Sequence, residues 1–454
     1  MMAYPRHILS KSTFLYGVQC LKRLYYYKFQ PLLSKPYDEQ QNLVFARGTE
    51  IGRLAQDLFP NGIDLSPPNP YSYQLSVEKT QKYLMTNDIL YEAAFQFDGV
   101  LCAIDILIQR NGKWYGFEVK STNSAKDQHI VDAALQFNII TKTGLPLEDI
   151  SIIHFDRDYI RIGEIETRKL FTTTSILQEV VLQQSFIDLK LTECKQLIAS
   201  KTEPAISIGE HCHKPYDCPF IDHCWKDEIA IPKPILSGEV IIDKEHLDQF
   251  FNGLDYPLYF FDFETVMYGV PEFDYSSPYQ QIPFQYSLHS LQDENSTLKH
   301  TYFLGDGIHD PRPALIEKMI NDLGESGSII TWNQTFEITC LRKLAQNFPN
   351  YATRINSIIE RIVDLMIPFK SKWILIPACN GSASLKVVLP ALLPELNYNS
   401  LEIQDGQSAS FTYSLLKDMN EEDRIKHRNS LLAYCELDTL AMVKILEKIM
   451  TFIV

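Results

Sequence analysis

Asp262 and Glu264 stand two residues apart in the apolar run Leu258-Tyr-Phe-Phe-Asp-Phe-Glu-Thr-Val266. The run reads as a buried strand after Pro257, and side chains at i and i+2 of a strand share a face. Two acids side by side there repel each other and lose hydration. The usual remedy is a divalent cation. Glu337 and Asp438 offer two more carboxylates downstream, and Tyr434 precedes Asp438 by one helical turn. Four carboxylates from strands and helices can hold two divalent ions about 4 Å apart, the arrangement for in-line displacement at a phosphodiester. All-oxygen ligation suits Mg²⁺ or Mn²⁺. Tyr434 is placed to orient the attacking water. Lys386, in Ser384-Leu-Lys386, is a candidate phosphate contact, with a solvated helix lysine as the stronger reading.

A second constellation lies upstream. Leu101–Ile108 and Trp114–Lys120 are strand-like, and the Asn111-Gly112 pair between them is a strong hairpin signal. That hairpin brings Asp105, Glu118 and Lys120 together. Tyr91–Phe97 is a further strand, turning at Asp98-Gly99. A helix over 127–140 carries Asp132 and Gln136 at i, i+4. Acids in such apolar strands need a partner, and Lys120 plus a metal would serve. A catalytically inert buried ion pair is the alternative. In a catalytic site Lys120 would stabilise charge on a phosphate or lower the pKa of an attacking water.

Cys212, Cys218 and Cys224 follow a C-x5-C-x5-C spacing. Three thiolates in so short a span call for a fourth ligand, and Cys20, near a helix at the start of the chain, is the expected one. Four cysteines would hold a 4Fe–4S cluster. Zinc is the rival, with Cys20, His211, His213 or His223 completing the site. Cys102, Cys194, Cys340, Cys379 and Cys435 read as core or incidental.

These groups need an α/β framework. At 454 residues two domains are expected. They are set at 1–235 and 254–454, joined by a linker over 236–253 that includes a short helix near Lys244–Asn252. Expected helices include 8–28, with Ser10 or Ser12 as its cap, 41–58, a long stretch over 164–200, 312–322 and 424–453. In the second half, strands at 284–291 and 301–304 form an antiparallel meander with 258–266. A strand at 328–333 precedes the helix of Glu337. The net charge of −15 excludes nucleic-acid binding over the whole surface, but not in a local groove. The first residues lack a signal-type apolar segment, and no run has the length of a membrane span. The expectation is a cytoplasmic protein without membrane contact, its cysteines not in structural disulfides.

From residue 254 onward the chain resembles the DnaQ-like 3′–5′ exonucleases of ribonuclease-H-like fold. Asp262-Phe-Glu264 is similar to their first motif, Asn333-Gln-Thr-Phe-Glu337 to the second, with Glu where Asp is usual, and Tyr434-Cys-Glu-Leu-Asp438 to the third. Asp364-Leu, Gly381-Ser and Ser384–Pro390 are similar to a bacterial domain family of uncharacterised function. The first half resembles RecB-like PD-(D/E)XK nucleases, of restriction-endonuclease-like core, that carry an iron–sulfur cluster. Asp105, Glu118-Val-Lys120 and Gln136 match that core motif, and Cys20, Cys212, Cys218 and Cys224 match the order of the cluster ligands. The family often has a metal-binding His four residues after a Gly in an early helix; here Gly48 is followed by Gly52. The resemblances imply a metal-dependent nuclease acting on nucleic acid, DNA before RNA, in repair, processing or defence. They also imply Asp105, Glu118, Asp262, Glu264, Glu337 and Asp438 as metal ligands. Two alternatives stay open: a first half that is a cluster-stapled clamp, or a catalytically silent nucleic-acid-binding scaffold stabilised by the cluster.

Overall fold

A computed structural model describes residues 7–36, 39–226 and 239–453. The chain divides into two compact units, one of residues 1–231 and 269–278, the other of 232–268 and 279–454. Both combine helices with a mixed sheet, an α/β architecture.

The first unit opens with helices α1 (Lys11–Gln19) and α2 (Leu21–Phe29), separated by Cys20 in extended conformation. Ser10 caps α1, its side chain accepting from the Thr13 amide. Strands β1 (Ile89–Phe97), β2 (Val100–Arg110) and β3 (Lys113–Val119) then run antiparallel in sequence order. Both hairpin turns have the left-handed pairs that tight connections require: Asp98 and Gly99 at φ 46° and 73°, Asn111 and Gly112 at 51° and 74°. Helix α3 (Asp127–Lys142) leads to β4 (Leu147–Phe155), parallel to β3, and then to β5 (Phe171–Ser175), antiparallel to β4. The last strand corrects the expectation of a long helical region with few breakers over 164–200. Helix there is confined to Thr167–Leu170, Leu177–Leu182 and α4 (Gln184–Ser200). The β-branched run Thr172-Thr-Thr174 favours an edge strand over a helix.

In the second unit β6 (Leu258–Val266), β7 (Ile282–Leu291) and β8 (Lys299–Leu304) are antiparallel, while β9 (Ser328–Thr331) and β10 (Ile362–Asp364) join β6 in parallel, giving the order β8-β7-β6-β9-β10. The alternation of β6 sorts its side chains. Tyr259, Phe261 and Phe263 pack with Leu315 and Met319, and with Leu341 and Leu344 of α5 (Gln334–Asn347). Asp262 and Glu264 take the other face, under the long terminal helix α7 (Glu421–Met450). In sequence α6 (Leu385–Leu392) lies between α5 and α7, and it packs on α7. Asn420 caps α7, and Glu421, Glu422 and Asp423 occupy its first turn, where acids suit the helix dipole. Ser384 precedes α6 but makes no side-chain cap. The expected linker differs from what is found. The helix Lys244–Asn252 is present as expected, but Ile241–Ile242 pairs with Ile374–Leu375, so 239–253 is built into the second unit. Residues 236–238 lie outside the described residues.

Candidate functional site

The hairpin registers bring three carboxylates of the first unit into one row. Ala93 pairs with Ile104 and Tyr91 with Ile106, which places Glu92 opposite Asp105. Ile106 pairs with Phe117, and the next step sets Asp105 opposite Glu118. Like charges so placed are unfavourable. Burial, then the neighbouring acids, push Asp105 up to about 7 and Glu92 up to about 8. Glu92 also has φ 54°, a strained value for a strand residue other than glycine. Burial would likewise raise Glu118, but Lys11 and Lys120 outweigh it and hold that carboxyl well below its usual range. Lys120 Nζ lies 2.6 Å from Glu118 and 2.5 Å from Asp132. Lys11, from the first turn of α1, lies 2.7 Å from Glu118 and 3.5 Å from Asp132. Gln136 Nε2 donates to Glu118 Oε2 at 2.5 Å and to the Ala103 carbonyl, and the Val119 amide donates to Asp105. All four residues expected from the sequence therefore meet, joined by Glu92, Asp132 and Lys11. Counting back from Asp98-Gly99 gives a sequence signal for Glu92; spacing gives none for Lys11. A divalent ion at Glu118 would have to displace the Lys11 ammonium. As arranged, these residues do not fit a metal at Glu118.

Cys20, Cys212, Cys218 and Cys224 line one cavity of the same unit, together with Arg23 and His211. Cys20 comes from the α1–α2 junction, and the other three from the short turns Glu210–Cys212 and Ile221–Cys224 and the loop between them. Gln19 Nε2 ties the two parts by donating to the carbonyls of His211 and Tyr216, both at 2.8 Å. Burial, and more weakly the neighbouring thiols, push Cys218 and Cys224 up. Four thiols on one cavity fit a sulfur-ligated cluster; His211 in the lining keeps zinc compatible.

In the second unit Asp262, Glu264, Glu337 and Asp438 converge. One carboxylate oxygen each of Asp262 and Glu264 and the Cys435 sulfur lie within 4.8 Å of one another. Burial, then the charge of Asp438, drives both Asp262 and Glu264 well above the carboxylate range. Asp438, on the inner face of α7, is pushed up to about 6 by burial, against the pull of a 2.5 Å hydrogen bond from the Tyr398 hydroxyl. Glu337 enters from the first turn of α5, after Asn333, whose left-handed φ of 74° makes the strand-to-helix corner. The Asn333 amide donates to Asp364 at 3.0 Å. Burial raises Glu337 to about 8, and its Oε2 is buried with no hydrogen-bond partner. Lys386 is not a solvated lysine as expected. Its Nζ donates to the Tyr434 hydroxyl at 3.0 Å and to the Gln404 carbonyl at 2.6 Å, and its charge opposes the upward shifts of Asp262, Glu264 and Asp438. Tyr398 has no motif to mark it. Crowded, buried, all-oxygen donors with one oxygen lacking a partner fit a divalent cation.

A family described only as a domain of unknown function (DUF2779) matches residues 259–384, a span that takes in Asp262, Glu264 and Glu337 but stops before Lys386, Tyr434 and Asp438. The chain is also similar to an uncharacterised protein of Mycoplasma pneumoniae, 28% identical over 206 residues, which cover 41% of this chain and 31% of that protein. An uncharacterised protein of Ureaplasma parvum is 26% identical over 214 residues, 41% of this chain and 30% of its own length. A third such protein, of Mycoplasma genitalium, is 26% identical over 207 residues, again 41% and 31%. The chain thus spans less than a third of the length of the curated relatives it matches.

Proposed function

We propose that the second unit is a divalent-metal-dependent nuclease that trims nucleic acid, DNA before RNA, from the 3′ end. The convergence of Asp262, Glu264, Glu337 and Asp438, with Glu337 Oε2 lacking a partner, carries this reading. The sheet of three antiparallel and two parallel strands is compatible with a ribonuclease-H-like fold. The 3′–5′ polarity rests on the resemblance of the three motifs alone. Asp262, Glu264, Glu337 and Asp438 would hold Mg²⁺ or Mn²⁺, which when bound supplies Lewis acidity and a water of lowered pKa. Tyr398 fixes the rotamer of Asp438 through its hydrogen bond. Lys386 carries a positive charge to the rim, where a phosphate would lie, and holds the Tyr434 hydroxyl in place to orient water.

The first unit reads best as a nucleic-acid clamp held by a 4Fe–4S cluster on Cys20, Cys212, Cys218 and Cys224. The contact of Lys11 with Glu118 favours this over a second hydrolytic site. The test is to incubate the full chain, purified without oxygen, with end-labelled single- and double-stranded DNA and RNA and Mn²⁺. Loss of labelled 3′ ends that vanishes in Asp262→Asn and persists in Glu118→Gln is expected. A folded, Mn²⁺-loaded chain that leaves every substrate intact would overturn the nuclease reading.

A further inference from the structure

On the sheet face that carries Asp262, the register sets a second group of ligands beside the carboxylates. His289 of β7 pairs directly with His300 of β8. Glu436, two residues before Asp438 on α7, reaches the same place, its Oε1 3.7 Å from His300 Nδ1. One nitrogen of each ring and a carboxylate oxygen of Glu436 all lie within 4.8 Å of one another.

One nitrogen of each ring is already engaged. His289 Nδ1 meets Thr439 Oγ1 at 2.8 Å, and His300 Nε2 meets Ser287 Oγ at 2.9 Å. The two hydroxyls are themselves 2.7 Å apart, so one buried chain of hydrogen bonds fixes both rings. This is how metal-binding histidines are held: one nitrogen is oriented by a polar neighbour and the other is left for the ion. Burial lowers both imidazoles, His289 to about 4, so each is neutral and offers a lone pair. His289 is buried, whereas the Glu436 side chain is half exposed, so an ion can enter from solvent and keep a water ligand.

We propose that His289, His300 and Glu436 form a zinc-class metal site, separate from the carboxylate cluster, that ties the terminal helix to the β7–β8 hairpin. Two imidazoles and one carboxylate are a donor set for Zn²⁺ rather than Mg²⁺, which favours oxygen. Because Tyr434 and Asp438 share α7 with Glu436, an ion here would brace the helix that delivers both.

The test uses the full chain with its cysteine site already filled. Protein is equilibrated with excess Zn²⁺, separated from free metal, and its bound zinc counted by mass spectrometry. Wild type should hold one more zinc than His300→Asn, whose half-open site lets the variant fold. The same difference of one zinc should separate Asp262→Asn from the Asp262→Asn/His300→Asn double variant, with any zinc at the carboxylates removed from both. Zinc-edge X-ray absorption of the wild type minus that of His300→Asn should show imidazole ligands. Glu436→Gln, which removes a ligand itself, should weaken binding by at least the roughly tenfold that loss of a ligand's outer hydrogen-bond partner costs. Equal zinc in wild type and His300→Asn would overturn the proposal. So would a difference that disappears between Asp262→Asn and the double variant, since that ion would belong to the carboxylates.

Discussion

At Lys11 one ammonium group decides how the first site reads. Glu118 would be raised by burial, yet Lys11 and Lys120 hold it low, so it remains ionised at neutral pH. If Lys11 stands where a cation would otherwise sit, Lys11→Met should expose a Mn²⁺ site at Glu118 and Asp105. Electron paramagnetic resonance of free Mn²⁺ should then show one more ion bound than in wild type. Unchanged binding would mean that Lys11 does not hold that place. In the second site the same logic runs the other way. Without metal, Asp438 and Glu337 have folded-state values of about 6 and about 8, above the unfolded values of about 3.9 and 4.3. Between those limits the folded chain binds more protons than the unfolded one, so stability falls as pH rises from about 4 to about 8. Thermal unfolding in EDTA should show that decline, and Mn²⁺ should flatten it. Lys386→Met should leave Mn²⁺ bound and slow cleavage by about 10²–10³-fold, the usual cost of one transition-state charge contact. Tyr434→Phe should cost less. Lys11 was not legible as a site residue, and Lys386 only as the weaker of two readings. Lys11 meets Glu118 across 107 positions and Lys386 meets Tyr434 across 48, contacts that no local pattern encodes. Asp105, Glu118, Asp262 and Glu264 were legible because acids in apolar strands contradict their surroundings, whereas Glu337 and Asp438, on helices, were marked by the motifs they resemble.

Elements with a strict period or a firm turn could be read directly. The Asn111-Gly112 hairpin, the alternation of β6 and the bounds of the helix at Arg312–Asp322 all follow from local chemistry. β5 was missed because a five-residue edge strand between helical segments offers only its run of threonines as a signal. The cysteine site depends on two elements far apart in sequence, α1–α2 and the turns after residue 209, which Gln19 joins. A 4Fe–4S group on these four cysteines would staple both to one cavity and close a long loop. Protein purified without oxygen should therefore hold about four irons and matching labile sulfide. Cys218→Ser should lose them and lower the first unfolding transition in calorimetry, leaving the second in place. Zinc without sulfide would replace the cluster reading.

For the whole molecule the net charge of −15 limits how nucleic acid can be held. Phosphates approaching the second unit meet four carboxylates, with Lys386 as the cation that opposes their field. With the metal removed, the raised carboxyls largely hold protons and the site offers a phosphate little beyond Lys386, whereas Lys120 and Lys11 of the first unit are occupied by Glu118 and Asp132. Affinity for a 3′-ended strand should then depend on divalent metal, not only the rate of cleavage. Fluorescence anisotropy with a labelled single strand should show weak binding in EDTA and tighter binding with Mn²⁺, using Tyr434→Phe to slow turnover. Asp262→Asn should lose most of that metal-dependent gain, because it removes a ligand and not a basic contact. Glu118→Gln should keep it. Tight binding in EDTA, unchanged by Asp262→Asn, would shift the main contact to the first unit and make the clamp, not the carboxylate site, the source of affinity.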